Sequence, residues 1–139
     1  MKNFAVFLGI ATVLLLAHNG YAAVCQTHGQ MLSNAEQFQR AAENFNLIVN
    51  PGFTGRGPSY SAVVNSAPEL VRKATELQNM VNEGATCENI AGQFESLARS
   101  VSFLHRSLQD TQYQFGNSAI AWSWRDVEKA YAGLSNSVQ

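Results

Sequence analysis

A sustained heptad pattern is the feature that most limits how this chain can fold. From Ile90 to Phe115 the apolar residues recur after four, three, four and three residues, with no proline between them. This spacing places them along one side of an α-helix and is typical of a helix that packs lengthwise against others. It predicts one long helix that begins near Thr86 and ends at residues 116–117. Its apolar stripe comprises Ile90, Phe94, Leu97, Val101, Leu104, Leu108, Thr111 and Phe115.

Two shorter helices are marked by start and stop residues. Residues 33–36 read Ser-Asn-Ala-Glu, a capping box in which the hydroxyl and the carboxylate satisfy free backbone N–H groups. Residues 50–52 contain a proline that disfavours helix in the residue before it, so the first helix is predicted between these points. A second capping box at 66–69 and a glycine-containing stop at 82–84 predict the second helix. The predicted apolar stripe of the first helix comprises Phe38, Ala41, Ala42, Phe45, Ile48 and Val49, and that of the second comprises Leu70, Ala74, Leu77 and Val81.

The fourth helix has a clear apolar face but two candidate starts, Ser118 and Ser123. Four amphipathic segments without any alternating strand pattern predict an all-α chain. The short connections favour an antiparallel up-down-up-down four-helix bundle with a long third helix. A dimeric coiled coil built on the third helix is the alternative. The apolar face of the fourth helix comprises Ile120, Trp124, Val127, Tyr131 and Leu134.

The N-terminal segment is typical of a secretory signal. Lys2 precedes an apolar run over 4–17, and small residues stand at Gly20 and Ala22. This pattern predicts a signal peptide over 1–22 that is removed, and a single mature domain over 23–139. The run is shorter than the about 20 apolar residues that span a bilayer, so we expect no membrane span after cleavage. The expected location is the bacterial periplasm or the extracellular space.

The two cysteines predict one disulfide bond, Cys25–Cys87, because exported chains oxidise paired thiols. Cys25 precedes the first helix and Cys87 lies in the first turn of the third, so both helices would begin at the same end of the bundle. An up-down-up-down topology requires that arrangement. In the chain-entropy model, closing a loop of about 60 residues stabilises the fold by about 4 kcal/mol.

Composition and motifs argue against several function classes. Nine Lys and Arg residues against ten Asp and Glu leave a net charge of −1, without the basic surface of a nucleic-acid-binding protein. The sequence has no HExxH, GxSxG, P-loop, GxGxxG or CxxCH motif. Haem ligation by a methionine and His105 is also disfavoured, because Met31 and Met80 fall at the opposite end of the bundle, about 28 Å away. We therefore predict a protein that is not an enzyme and that holds no metal and no cofactor.

Aromatic and arginine residues carry the candidate binding surface. The first two helices are predicted to have about 17 residues and the third about 30, so the third would overhang them by almost 20 Å. Only the long connection 51–65 could cover the overhanging end. Exposed Trp, Tyr and Arg are the residues that dominate binding hot spots. The predicted surface for a protein or another envelope component comprises Phe53, Arg56, Tyr60, Trp122 and Arg125.

Two alternatives remain open for this end of the bundle. In the first, the connection 51–65 forms a small second core over Trp122 and Phe115. In the second, the chain carries a small apolar ligand between the third and fourth helices and the connection 51–65, in a cavity of more than about 300 Å³. A further pair is predicted across the last turn, since His105 and Glu128 flank neighbouring stripes at one level. We expect a hydrogen bond between them.

Overall fold

Four α-helices make up most of the part of the chain that the structure, a computed structural model, describes: residues 25–52, 58–110 and 118–138. The predicted all-α, antiparallel four-helix bundle is confirmed. Within these ranges the only β-type pairing is an isolated bridge between Cys25 and Val138. The helices are α1 (His28–Gly52), α2 (Pro58–Asn82), α3 (Cys87–Asp110) and α4 (Ser118–Ser137).

The predicted stripes form the core. In the described ranges, every residue assigned to a stripe is buried or half-buried. Burial of such side chains is worth about 1.5–3 kcal/mol each and holds the four helices together. The largest fully buried side chains are Phe38, Phe45, Leu70, Leu77, Ile90, Leu97, Leu104, Ile120 and Leu134.

The four helices do not pack equally closely. α1 packs against α2 and α4, and α2 packs against α3, but no described Cα atom of α3 lies within 8 Å of one of α4. Long side chains fill this α3–α4 seam instead. Phe94 stacks on Tyr131 with ring centroids 5.6 Å apart. The bundle is therefore closed by backbone proximity on three sides and by side chains alone on the fourth.

α1 begins earlier than predicted. The carbonyl of Thr27 accepts a hydrogen bond from the Met31 backbone N–H at 3.0 Å, which starts the helix ahead of the predicted capping box. The Ser33 hydroxyl lies inside the helix and accepts a bond from the Gln37 amide at 3.4 Å, so it caps nothing. At the other end the helix continues through Pro51 to Gly52.

α2 also begins earlier, at Pro58 rather than at Ser66, and Pro68 lies inside it. Most of the predicted connection 51–65 is therefore helical. α1 and α2 have 25 residues each, and the described part of α3 has 24. The predicted overhang of the third helix is wrong over these residues; the stripe positions Thr111 and Phe115 lie outside the described ranges.

The predicted start of α3 is confirmed by its cap. The Thr86 hydroxyl accepts a hydrogen bond from the Asn89 N–H at 3.2 Å, and the Thr86 carbonyl accepts one from Ile90 at 3.0 Å. Before it, Gly84 has a φ of 77°, in the left-handed region that favours glycine. The N–H groups of Gly84 and Ala85 donate to carbonyls of the last turn of α2, which is a Schellman cap.

α4 begins at Ser118, so the alternative start at Ser123 is wrong. Ser123 is buried, and its hydroxyl donates to the Ile120 carbonyl at 2.9 Å, as serine does inside a helix. The rotational position of Trp122 relative to Trp124 therefore follows the helical geometry that the sequence predicted.

One end of the bundle is tied covalently, and we call it the disulfide end. Cys25 and Cys87 form the predicted disulfide, with Cα atoms 5.8 Å apart. The residue after Cys25, Gln26, donates its backbone N–H to the Ser137 carbonyl at 2.9 Å, which attaches the end of α4 to the segment before α1. The starts of α1 and α3 and the end of α4 are thus held together.

Side chains reinforce this end. The Asn34 amide donates to the Gly133 carbonyl at 3.3 Å and to the Ser137 hydroxyl. That hydroxyl in turn donates to the Gln26 side-chain carbonyl at 2.9 Å. The opposite end, where α1 and α3 finish and α2 and α4 start, is called the open end below.

Candidate binding surface at the open end

Trp122 is the most conspicuous residue of the open end. It lies in the second turn of α4 and is 62% exposed, although tryptophan is usually covered. Arg125 lies three residues further along α4, and its Cζ atom is 4.9 Å from the centre of the Trp122 ring. This distance is typical of a cation–π contact. The contact places the guanidinium group against the indole, which stays accessible to solvent.

Arg125 keeps its charge available for a partner. Among the ion pairs of the described residues, the intrahelical ones involve Arg40 and Arg72, and none includes Arg125. The guanidinium group is more weakly hydrated than an ammonium and binds carboxylates through two hydrogen bonds. Trp122 and Arg125 therefore combine an apolar face with an unmatched donor.

The other predicted members of the surface do not join this pair in the described structure. Tyr60 was expected in an exposed connection, and that expectation is wrong, because it lies in the first turn of α2 and is only 8% exposed. Tyr60 extends the apolar stripe of α2 and belongs to the core. Phe53 and Arg56 lie outside the described ranges. The structure thus brings together two of the five predicted residues.

Two further exposed apolar side chains lie outside the predicted surface, and the sequence reasoning missed the first of them, Leu47. Leu47 is 72% exposed on α1, and Phe103 is 43% exposed on α3. With Trp122 they are the large exposed hydrophobic residues of the described ranges, and each lies in the half of its helix nearer the open end. The signal for Leu47 was present, since it stands opposite the apolar stripe of its helix.

Leu47 lies at the same level of the bundle as Trp122. The rings of Phe45 and Trp124 are 5.1 Å apart, which sets the antiparallel register of α1 and α4. Leu47 is two residues after Phe45, and Trp122 is two residues before Trp124. We call Trp122 and Arg125 together the Trp122 surface.

Phe103 belongs to a different face. It borders a shallow depression of about 450 Å³ between α2 and α3 that is wide open to solvent. The Glu69 carboxylate at its edge has a pKa below its usual range, because the Arg72 side chain hydrogen-bonds to it. Arg72 also pairs with Glu76 along the same helix, so this is an ordinary surface ladder. The depression is lined by Asn65, Ser66, Glu69, Arg99, Ser100 and Phe103.

His105 and Glu128 meet across the α3–α4 seam, as predicted, but without the predicted hydrogen bond. His105 Nδ1 and Glu128 Oε1 are 3.9 Å apart, which is longer than a hydrogen bond. The other ring nitrogen, Nε2, is 3.1 Å from the Gln109 amide nitrogen.

Beside this pair the seam contains a cleft of about 170 Å³. Trp124 lines it and is 6% exposed, and its Nε1 atom is buried without a hydrogen-bond partner in the described structure. His105 lies near the same indole, with ring centroids 6.5 Å apart. The lining residues are His105, Leu108, Gln109, Ala121, Trp124, Arg125 and Glu128.

Comparisons with protein-family models, with curated proteins and with solved structures gave no match. The site is therefore interpreted from its chemistry alone. In the described ranges no three His, Cys, Asp or Glu residues are grouped so as to hold a metal ion, and both cysteines are in the disulfide. No helix of those ranges is long and apolar enough to cross a bilayer.

Proposed function

We propose that this chain is an exported protein of the bacterial envelope that binds a protein or another envelope component and performs no catalysis. The observation that carries the proposal is the exposed Trp122 indole in contact with Arg125, whose Cζ atom is 4.9 Å from the centre of the ring. Fully burying a large apolar side chain contributes about 1.5–3 kcal/mol, so burial of the Trp122 indole would supply part of a moderate affinity. Tryptophan and arginine are also the residue types that are most enriched in binding hot spots.

The partner is expected to combine an apolar depression with an acceptor. The indole of Trp122 would fill the depression, and the Arg125 guanidinium would bind a carboxylate or carbonyl beside it. The net charge of −1 gives little long-range steering, so recognition would depend on contact rather than on field strength.

A non-catalytic role fits the one histidine–carboxylate pair of the described residues. His105 is hydrogen-bonded to Gln109, and no described Ser, Thr or Cys side chain hydrogen-bonds to the imidazole. Nucleophilic catalysis needs a nucleophile within hydrogen-bond reach of its base. The pair is more simply a polar contact between two helices.

The binding proposal is tested by affinity purification from an envelope extract of the native host. Residues 23–139 serve as bait, and partners are quantified by mass spectrometry. Trp122→Ala should reduce recovery of the partner at least tenfold, and the double variant with Arg56→Ala should abolish it. Phe103→Ala is the matched control, since it removes an exposed aromatic ring from another helix and should leave recovery unchanged. Equal recovery by all variants would overturn the proposal.

Export is tested separately. The disulfide supports export, since such bonds persist in oxidising compartments. We expect the protein from the native host to begin at Ala23 and to appear in the periplasmic fraction or the medium. N-terminal mass spectrometry of the cell fractions would measure both. A full-length chain confined to the cytoplasm would contradict export without affecting the binding test.

A further inference from the structure

The outer face of α3 presents an aromatic ring between two arginines. Arg99, Phe103 and Arg106 follow one another after four and three residues, so they lie on one side of the helix. All three side chains are exposed. With a rise of 1.5 Å per residue, the two arginines are about 10 Å apart along the axis and Phe103 lies between them. We call these three residues the Phe103 surface.

The positive charges of this surface have no counter-charge in the described structure. Neither Arg99 nor Arg106 forms an ion pair with a described residue, although Glu95 lies one helical turn before Arg99. Lys73 of the neighbouring α2 adds a third positive charge. Its Nζ atom donates to the Ser100 hydroxyl at 2.8 Å, which is an uncharged acceptor. The surface therefore favours a ligand with negative charge.

The depression beside Phe103 favours a hydroxylated ligand over a peptide. Of its six lining residues only Phe103 is apolar, whereas the core of a protein interface is mainly apolar. The side chains of Asn65 and Ser66 on its α2 wall form no hydrogen bond with described residues, so both are available to donate to and accept from hydroxyl groups. Glu69 is the one carboxylate of the lining, and its charge is paired with Arg72.

Phe103 supplies the apolar contact that such a ligand would need. Its side chain is 43% exposed at the border of the depression. The face of an aromatic ring carries partial negative charge, and the C–H groups on one face of a sugar ring carry partial positive charge, so the two rings stack. A neutral sugar would leave both arginines unmatched. A sugar acid would match them as well, because a guanidinium binds a carboxylate through two hydrogen bonds.

We propose that the Phe103 surface and the adjoining depression bind an acidic polysaccharide, a chain of sugars that carry carboxylates. One sugar stacks on Phe103 and directs its hydroxyls towards Asn65 and Ser66. The carboxylates of the sugars on either side of it pair with Arg99 and Arg106. The depression of about 450 Å³ is large enough for a small-ligand site. The site lies on α2 and α3, whereas the Trp122 surface lies on α4, so neither proposal depends on the other.

Tetragalacturonate is the probe, and the backbone N–H signals of α3 in a ¹H–¹⁵N spectrum of residues 23–139 are the readout. We expect saturable shifts around Phe103 with a Kd in the millimolar range or below. Maltotetraose, which has the same length but no charge, should bind at least tenfold more weakly. Tetraglutamate, which has the charge but is a peptide, should also bind at least tenfold more weakly.

Substitutions separate the two parts of the surface. The double variant Arg99→Gln, Arg106→Gln should weaken tetragalacturonate binding at least tenfold, and Phe103→Ala should weaken it at least fivefold. Arg40→Gln combined with Lys129→Gln is the matched control, because it removes the same charge from exposed positions of α1 and α4 and should not change the affinity. Circular dichroism shows whether each variant keeps the helical bundle.

Several outcomes would overturn the proposal. No saturable shift with tetragalacturonate would exclude a polysaccharide site, and equal binding of tetraglutamate would indicate a site for acidic peptides instead. Equal binding of maltotetraose, or undiminished binding by the double arginine variant, would show that the arginines do not select the ligand. Trp122→Ala should leave the affinity for tetragalacturonate unchanged, which keeps this test independent of the proposed binding function.

Discussion

The two ends of the bundle differ in how the helices are linked and in which side chains they expose. The disulfide end joins α1, α3 and α4 by a covalent bond, a backbone bridge and the Asn34–Ser137–Gln26 hydrogen bonds. In the described ranges it exposes no large hydrophobic side chain, whereas the open end exposes Leu47, Phe103 and Trp122. Stability and candidate recognition are therefore located in different halves of one small domain.

The α3–α4 seam repeats the contrast within a single interface. Its half near the disulfide is filled by the stacked rings of Phe94 and Tyr131, and its other half leaves a cleft beside Trp124. Fixing one end of a bundle allows the other end to carry exposed or incompletely packed residues, because their cost is borne by contacts elsewhere in the fold. Four substitutions test how complete this division is.

Removing the disulfide should have the largest effect. The bond closes a span of 62 residues, and the chain-entropy model assigns about 4 kcal/mol to such a closure. We expect the double variant Cys25→Ala, Cys87→Ala to lose about that much in the free energy of unfolding, measured by urea denaturation. The oxidised and reduced wild-type proteins should differ by a similar amount. A loss below about 1 kcal/mol would show that the disulfide end does not dominate stability.

Asn34→Ala should have the next largest effect. The substitution removes both hydrogen bonds from α1 to α4 and leaves the Gly133 carbonyl and the Ser137 hydroxyl with one partner fewer. We expect a loss of about 1–2 kcal/mol and faster amide exchange in the last turn of α4. Gln37→Ala is the control, because its amide bonds only within α1. Equal effects of the two variants would contradict a specific role of Asn34.

Tyr131 gives a smaller, pH-dependent effect. Burial raises the pKa of its phenol above the usual value of about 10. In the unfolded chain the phenol therefore ionises first, so the free energy of unfolding should fall as pH rises from 10 towards the pKa of the folded state. Tyr131→Phe should show a shallower decline, measured by denaturation between pH 9 and 11. Parallel declines of the two proteins would show that Tyr131 is not desolvated.

Much of the core could be predicted because helical periodicity determines which residues share a face. Leu70, Ala74 and Leu77 were assigned correctly from spacing alone. The same stripe continues backwards through Ala67, Val63 and Tyr60 at intervals of three and four, which was a readable signal for the true start of α2. Pro68 obscured this signal, because proline is common in the first turn of a helix. In the structure Pro68 lies exposed inside α2, where it removes one backbone hydrogen bond without ending the helix.

The candidate sites were less accessible to sequence reasoning. The exposure of Trp122 follows from its angle to Trp124, and its contact with Arg125 follows from their spacing of three residues. The α3–α4 cleft had no such signal. Periodicity shows which face of a helix is apolar, but the distance between two helices depends on how all their side chains interlock.

Trp122→Ala should have the smallest effect on stability and is the sharpest test of the division between the ends. The side chain is 62% exposed and contacts Arg125, and exposed cation–π contacts are worth about 0.5–1 kcal/mol. The free energy of unfolding should therefore fall by less than about 1 kcal/mol in urea denaturation. Leu104→Ala, which truncates a fully buried residue of the same half, should cost about 2–5 kcal/mol and calibrates the measurement. If Trp122→Ala were as costly as Leu104→Ala, the indole would be part of the packing of the open end, and its exposure would no longer indicate a binding surface.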